Sequence, residues 1–225
     1  MPQALPVLMY HSISRYKHHL CVPPERFEDH CKSLAAAGWR GVSLPEAEEF
    51  FLKKNRLPRT TCLFTFDDGY FDNYVHAEPI LRQYGHHGAI FPVMSFVEDR
   101  SKRRHNSENA KKKPDEESPF ASLDSRNTTM RRGRRVERII FCSWAELRHM
   151  QDQGNIAAAP HSMDHGRVVT GLAVTKLYRP RARGGFFAVP PYEALYGFPA
   201  FKLGHSLTDR GYRLVPELFD LIRDM

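Results

Sequence analysis

The sequence predicts an α/β fold with parallel strands. Three observations carry that expectation. Short apolar runs alternate with amphipathic helical stretches over residues 6–93. The connections between them are short. The clearest strand, Thr61-Cys62-Leu63-Phe64-Thr65-Phe66, is β-branched, aromatic and apolar throughout, as expected of a strand covered by helices.

The elements follow in order. Pro6-Val7-Leu8-Met9-Tyr10 reads as a buried strand and ends at His11 and Ser12. A helix is expected from Pro24 to Ala37, with Phe27, Cys31 and Leu34 on one face and Gly38 as its stop. Gly41-Val42-Ser43 is a second strand, and Pro45 to Leu52 a second helix. The strand from Thr61 ends abruptly in Asp67-Asp68-Gly69. The next helix runs from Asn73 to Tyr84, with Ala77, Ile80, Leu81 and Tyr84 as its apolar stripe and Gly85 beyond it. Ala89 to Val93 is a further strand. Parallel sheets of this kind carry their chemistry at the C-terminal ends of the strands, where Asp67 and Asp68 stand.

From Glu98 to Arg138 the periodicity lapses. We read residues of about 100–138 as a charged, disordered insertion in one domain that spans residues 1–225. Regular structure resumes at Ile139-Ile140-Phe141. Ser143-Trp144-Ala145-Glu146 is a capping box that opens a helix through Met150, and Gly154 closes it. Ile156 to Ala159 is a strand leading to His161-Ser162-Met163-Asp164-His165. Arg179 to Pro191 reads as loop, and Pro216 to Met225 as a short last helix.

A chain of 225 residues with 41% hydrophobic composition can bury a core of its own. No run is long and apolar enough to span a bilayer, and Met1 to Tyr10 lacks the pattern of a secretory signal. The expectation is a soluble, cytoplasmic chain. The net charge is +7, but the excess is local: Lys102, Arg103, Arg104, Lys111, Lys112, Lys113, Arg131, Arg132, Arg134 and Arg135 share one segment. That run reads as a solvated insertion before it reads as a surface for nucleic acid. None of the four cysteines forms a CxxC pair, so a zinc knuckle is not expected.

Two clusters can do chemistry. Asp67 and Asp68 put two carboxylates side by side, at a cost in repulsion that a cation would relieve. Taken alone, Asp-Asp-Gly is an ordinary surface turn. His161 and His165 stand four apart, and on a helical turn both imidazoles face one way and can share a metal. Taken alone, they are two surface histidines among 12. Together the clusters supply two imidazoles and one carboxylate, a facial set that leaves positions open for water and substrate.

Thr65-Phe66-Asp67-Asp68-Gly69-Tyr70 resembles the first signature of the polysaccharide deacetylases, the NodB-homology or family four carbohydrate esterases. His161-Ser162-Met163-Asp164-His165 resembles their second, His-Ser/Thr-x-x-His. Leu8-Met9-Tyr10-His11-Ser12, the stretch from Phe27 to Ser43, Asn73 through Gly85, and Trp144 through Gly154 resemble the surrounding elements. The resemblance implies a distorted (β/α) barrel. It implies that Asp68, His161 and His165 bind a divalent metal, usually zinc, sometimes cobalt or nickel. It implies that Asp67 is the general base, and that the substrate is an N-acetylated polysaccharide or oligosaccharide. His11 and Tyr70 are candidate substrate contacts, and Trp144 is read as a core residue before a ring that stacks on sugar.

The family's third signature, Arg-x-Pro-Tyr, has one counterpart, Pro190-Pro191-Tyr192. The nearest upstream arginine, Arg183, stands at the wrong spacing. Tyr192 is carried as a third candidate substrate contact. His205 is the only histidine after the expected ligands, and nothing around it matches the leaving-group motif. The expectation is therefore a barrel incomplete at its C-terminus. An alternative reading is a remnant that binds metal or glycan without turnover.

Overall fold

The computed structural model describes residues 3–15, 19–106, 128–131, 134–137, 141–163, 166–177 and 199–205. The chain divides into two compact units, Met1–His161 and Ser162–Met225.

The first unit is built on parallel strands. They are β1 (Val7–Tyr10), β2 (Arg40–Gly41), β3 (Thr61–Asp68), β4 (Gly88–Pro92) and β7 (Ile156–Ala158). Their order is β1-β3-β4-β7, with β2 paired to the start of β3. Every pairing is parallel: Tyr10 lies beside Phe66, Thr65 beside Ala89, and Ala89 beside Ala157. The α/β expectation holds here, with the second strand at Arg40–Gly41 rather than Gly41–Ser43. The reason lies in β3, whose residues are buried in an unbroken run from Thr61 to Phe66. A strand with no polar face has to be covered on both sides.

The helices supply the cover. In α1 (Pro24–Ala36), Phe27 and Cys31 are fully buried one turn apart. Tyr10, Phe64 and Phe66 pack on Phe27, with ring centroids 5.0, 6.2 and 5.7 Å away. α2 (Leu44–Lys53) opens on a complete capping box, because the Glu46 carboxylate accepts from Ser43 N–H at 2.8 Å. Arg40 donates twice to that carboxylate, at 3.1 and 2.7 Å, and holds it down to about 2. The helix expected over Asn73–Tyr84 is shorter. A wider π turn occupies Asn73–Ala77, and α3 is Glu78–Gln83. Pro79 explains the change: with no N–H to donate, it breaks the ordinary ladder. Glu78 N–H reaches back to Asn73 instead.

α4 (Trp144–Asp152) begins where the capping sequence places it, and Ser143 N–H donates to Glu146 at 2.7 Å. The charged stretch before it departs from the expectation at both described ends. Arg104 is nearly buried rather than solvated. It donates to Glu146 at 2.8 and 2.7 Å and to the Phe141 carbonyl at 2.7 Å, and it lies 3.7 Å over the Phe71 ring. Further on, β5 (Thr128–Arg131) and β6 (Arg134–Glu137) pair antiparallel, where the sequence shows no strand signal.

The second unit contains β8 (Arg167–Leu177) and β9 (Pro199–His205), antiparallel, with three register shifts along the pair. The loop expected over Arg179–Pro191, the last helix over Pro216–Met225 and the strand start Ile139–Ile140 lie outside the described residues. Among the described residues, no helix is long and apolar enough to cross a membrane. All four cysteines are free thiols.

Candidate active site

Asp67 and Asp68 are the last two residues of β3, beside Phe91 and Pro92 in register. The chain then leaves the sheet through two successive left-handed residues, Asp68 at φ 69° and Gly69 at φ 78°. That conformation costs an aspartate on the order of 1 kcal/mol, and such strain concentrates at functional sites. At Gly69 it combines with a close approach: a Cβ there would stand 2.6 Å from Pro92 Cβ. Only glycine fits.

Pro92 is the meeting point of three strand ends. It pairs with Asp68, crowds Gly69, and its carbonyl accepts from His161 N–H at 3.0 Å. Main-chain geometry thus brings His161 beside Asp68. Asp68 Oδ1 and His161 Nε2 are 3.9 Å apart, with the carboxylate 4% and the imidazole 29% exposed. That distance is too long for a direct hydrogen bond. It suits a shared cation, because two ligands each about 2.0–2.2 Å from one ion stand no more than about 4.4 Å apart. A carboxylate oxygen and an imidazole nitrogen are donors that zinc accepts. Among the described residues, no three histidine, cysteine, aspartate or glutamate side chains converge on one point. His165 lies outside the described residues. Residues 161–163 are not helical, so the helical turn expected to align the two imidazoles is absent at His161. Asp67, one residue back, is half-buried.

A second buried carboxylate lies under the same strand ends, and the sequence reading does not single it out. Asp72 is 2% exposed and accepts from the Ser12 hydroxyl at 2.5 Å, with Ser14 Oγ 3.3 Å from Ser12 Oγ. Burial pushes Asp72 up to about 7, against the pull of the Ser12 hydroxyl and the N–H groups of Ile13 and Asn73. The bond ties the exit of β1 to the turn that follows Gly69. A charge inside the apolar run Tyr70–Val75 is the signal that points to it. His11 follows β1 directly and is half-buried at the same end of the sheet.

Tyr70, expected to touch substrate, is buried, and Trp144, expected in the core, is exposed. Tyr70 is fully buried, its ring stacked on Phe141 at 5.4 Å, and its hydroxyl is pushed up by burial and by the nearby Asp68. Trp144 is 44% exposed. Tyr192 lies outside the described residues.

Comparison with known proteins agrees with this geometry. Residues 54–183 match the family model described as polysaccharide deacetylase. YxkH of Bacillus subtilis (strain 168), a protein named for that family, is 43% identical over 93 residues, which are 41% of this chain and 33% of YxkH. IcaB from Ammonifex degensii superposes with a TM-score of 0.51 at 22% identity, over 72% of this chain and 55% of IcaB. The deacetylase PplD of Streptococcus pyogenes, solved with acetate, gives a TM-score of 0.52 at 17% identity, over 74% of this chain and 59% of PplD. These likenesses show a shared fold, the (β/α) barrel type expected from the two signatures. The chain spans a third of YxkH's length and less than two thirds of either solved structure.

Proposed function

Since the chain belongs to the polysaccharide deacetylase family, we propose that it hydrolyses N-acetyl groups from an amino-sugar polymer. Asp67 is the general base in this reading, and Asp68, His161 and His165 hold a divalent metal. Zinc fits the donors best, with cobalt or nickel as substitutes. The observation that carries the reading is the 3.9 Å approach of Asp68 Oδ1 to His161 Nε2 at the strand end that also bears Asp67.

Such an ion supplies Lewis acidity at the acetyl carbonyl and lowers the pKa of water. The chain's own residues do the rest. Asp68 is nearly enclosed at the end of β3 and serves as a ligand rather than a base. Asp67 is the more open of the two and takes the proton of the attacking water. The C–N bond then breaks, the amine leaves with a proton, and the products are acetate and a free amino sugar. His11, at the same end of the sheet, and Tyr192 are proposed to contact the substrate.

The test pairs two measurements. Bound zinc and acetate released from N-acetylglucosamine oligomers are measured for the parent and for Asp67→Asn. Both proteins are expected to bind stoichiometric metal. The parent is expected to release acetate, and the variant about a hundredfold less or slower still, the size of a lost general base. A parent that binds no metal, or one that binds it and releases no acetate, overturns the proposal.

A further inference from the structure

Arg104 ties the start of the charged run to α4, and that tie gathers cations in one place. Its own guanidinium is committed to Glu146, Glu98 and the Phe141 carbonyl. Its neighbours Lys102 and Arg103 are exposed, and with Arg148 of α4 they line a cavity of about 590 Å³. Among the described residues, no carboxylate stands within ion-pair distance of these three cations. Tyr74 forms the floor. Its ring is fully buried, and its hydroxyl donates to the Arg104 carbonyl at 3.0 Å and stands 3.5 Å from Arg103 Nη1.

The described lining holds one carboxylate, Asp152, against the three cations. His105 and His149 add further polar edges. A concave surface with such an excess of one sign concentrates ions of the other. The two guanidiniums present planar forks that match phosphoryl oxygens in pairs, and the ammonium adds a point charge. The volume lies within the range of small-ligand pockets, about 300–1,000 Å³, and has room for more than one phosphoryl group. Nucleic acid suits the basin less well. It is met by cations strung along a groove with open rings on which bases stack, whereas Tyr74 is sealed in the core.

We infer that this cavity binds an oligophosphate, an anion of two or more linked phosphoryl groups, free or carried by a nucleotide. None of the residues assigned to deacetylation lines it, so the site stands or falls apart from that reading. The bound anion bridges the charged run and α4, through Lys102 and Arg103 on one side and Arg148 on the other.

The full chain is titrated with inorganic triphosphate by calorimetry. Saturable binding at one site is expected, weakened by added salt. Arg103→Gln and Arg148→Gln are each expected to raise Kd roughly tenfold, the size of a lost charged hydrogen bond. Asp152→Asn is expected to lower it. Arg56→Gln combined with Arg59→Gln removes two exposed cations outside the cavity and is expected to leave Kd within about twofold. Unchanged thermal unfolding shows that the variants fold. ATP that binds more tightly than triphosphate points to a nucleotide source, and ATP that binds equally or less tightly points to the free oligophosphate. The absence of saturable binding at millimolar triphosphate overturns the proposal. So does binding that ignores Arg103 and Arg148, which places the anion elsewhere, a bound metal included. Equal loss in the Arg56 and Arg59 variant shows a response to net charge alone and overturns it too. Orthophosphate that binds as tightly as triphosphate, or an oligothymidylate that binds where triphosphate does not, overturns the assignment to an oligophosphate.

Discussion

Asp68 and Asp72 sit four residues apart and meet opposite demands. Asp68 faces an imidazole across a gap suited to a cation. Asp72 is sealed under the sheet with a serine hydroxyl. Burial raises Asp72 from its ordinary 3.8 to about 7, so the folded chain keeps a proton there that the unfolded chain loses. The stability this contributes is complete below pH about 4 and is lost as pH rises towards about 7, a fall of up to about 4 kcal/mol. Denaturant titrations between those limits are expected to show it. Asp72→Asn keeps an acceptor for Ser12 and is expected to flatten the slope. At this scale the sequence was informative where neighbours in the chain are neighbours in space, as in Asp67-Asp68-Gly69. It was silent where they are not: Ser12 and Asp72 are sixty residues apart, and nothing in the sequence pairs them. Trp144 was misplaced because a large aromatic ring reads as core, whereas at the first residue of α4 it is 44% exposed.

Elements were legible where their periodicity is strong. α1, α2, β3, β4 and α4 fall within two residues of the positions the pattern predicts. The π turn at Asn73–Ala77 was not, because one missing proline N–H changes the ladder without disturbing the apolar stripe. Arg104 was hidden by its company, a cation among many in a charged run. In the fold it fastens that run to the start of α4. Burial pushes the Glu146 carboxyl up, but the Arg104 guanidinium and the N–H groups of Ser143 and Arg104 outweigh it and hold it below the usual range. Replacing Glu146 with Gln leaves the guanidinium of Arg104, 17% exposed, with Glu98 at 3.3 Å as its remaining counter-ion. The expected cost is about 1–3 kcal/mol, the range for a buried group that loses hydrogen-bond partners, read as a lower urea midpoint. Arg100→Gln, at an exposed pair with Glu98, is the control and is expected to change stability by less than about 1 kcal/mol.

The parallel sheet follows from alternating apolar runs and helices and could be read in advance across residues 6–93. The second unit could not, because β8 and β9 pair with repeated register shifts and leave no steady alternation in the sequence. Metal binding is expected to act on the whole molecule. An ion held by the native chain and not by the unfolded one adds about 2.7 kcal/mol of stability at a hundredfold excess over Kd. Thermal unfolding after chelation, and again after zinc is restored, is expected to show a rise in Tm. Asp68→Asn and His161→Ala are each expected to abolish it. A Tm indifferent to zinc in the parent would remove the metal from the reading.

The strand order also sets a sequence of events in time. β3 and β4 come together across residues 69–87, so the strand end that carries Asp68 meets its partner through near neighbours. β7 joins β4 only across residues 93–155, which include the charged run. Long closures slow folding more than they weaken the folded state, since doubling a flexible loop costs only about 0.6 kcal/mol. His161 therefore joins the site by the slower closure. Changes in the length of the charged run are tolerated thermodynamically, and they act as a timer on when a newly made chain acquires its site.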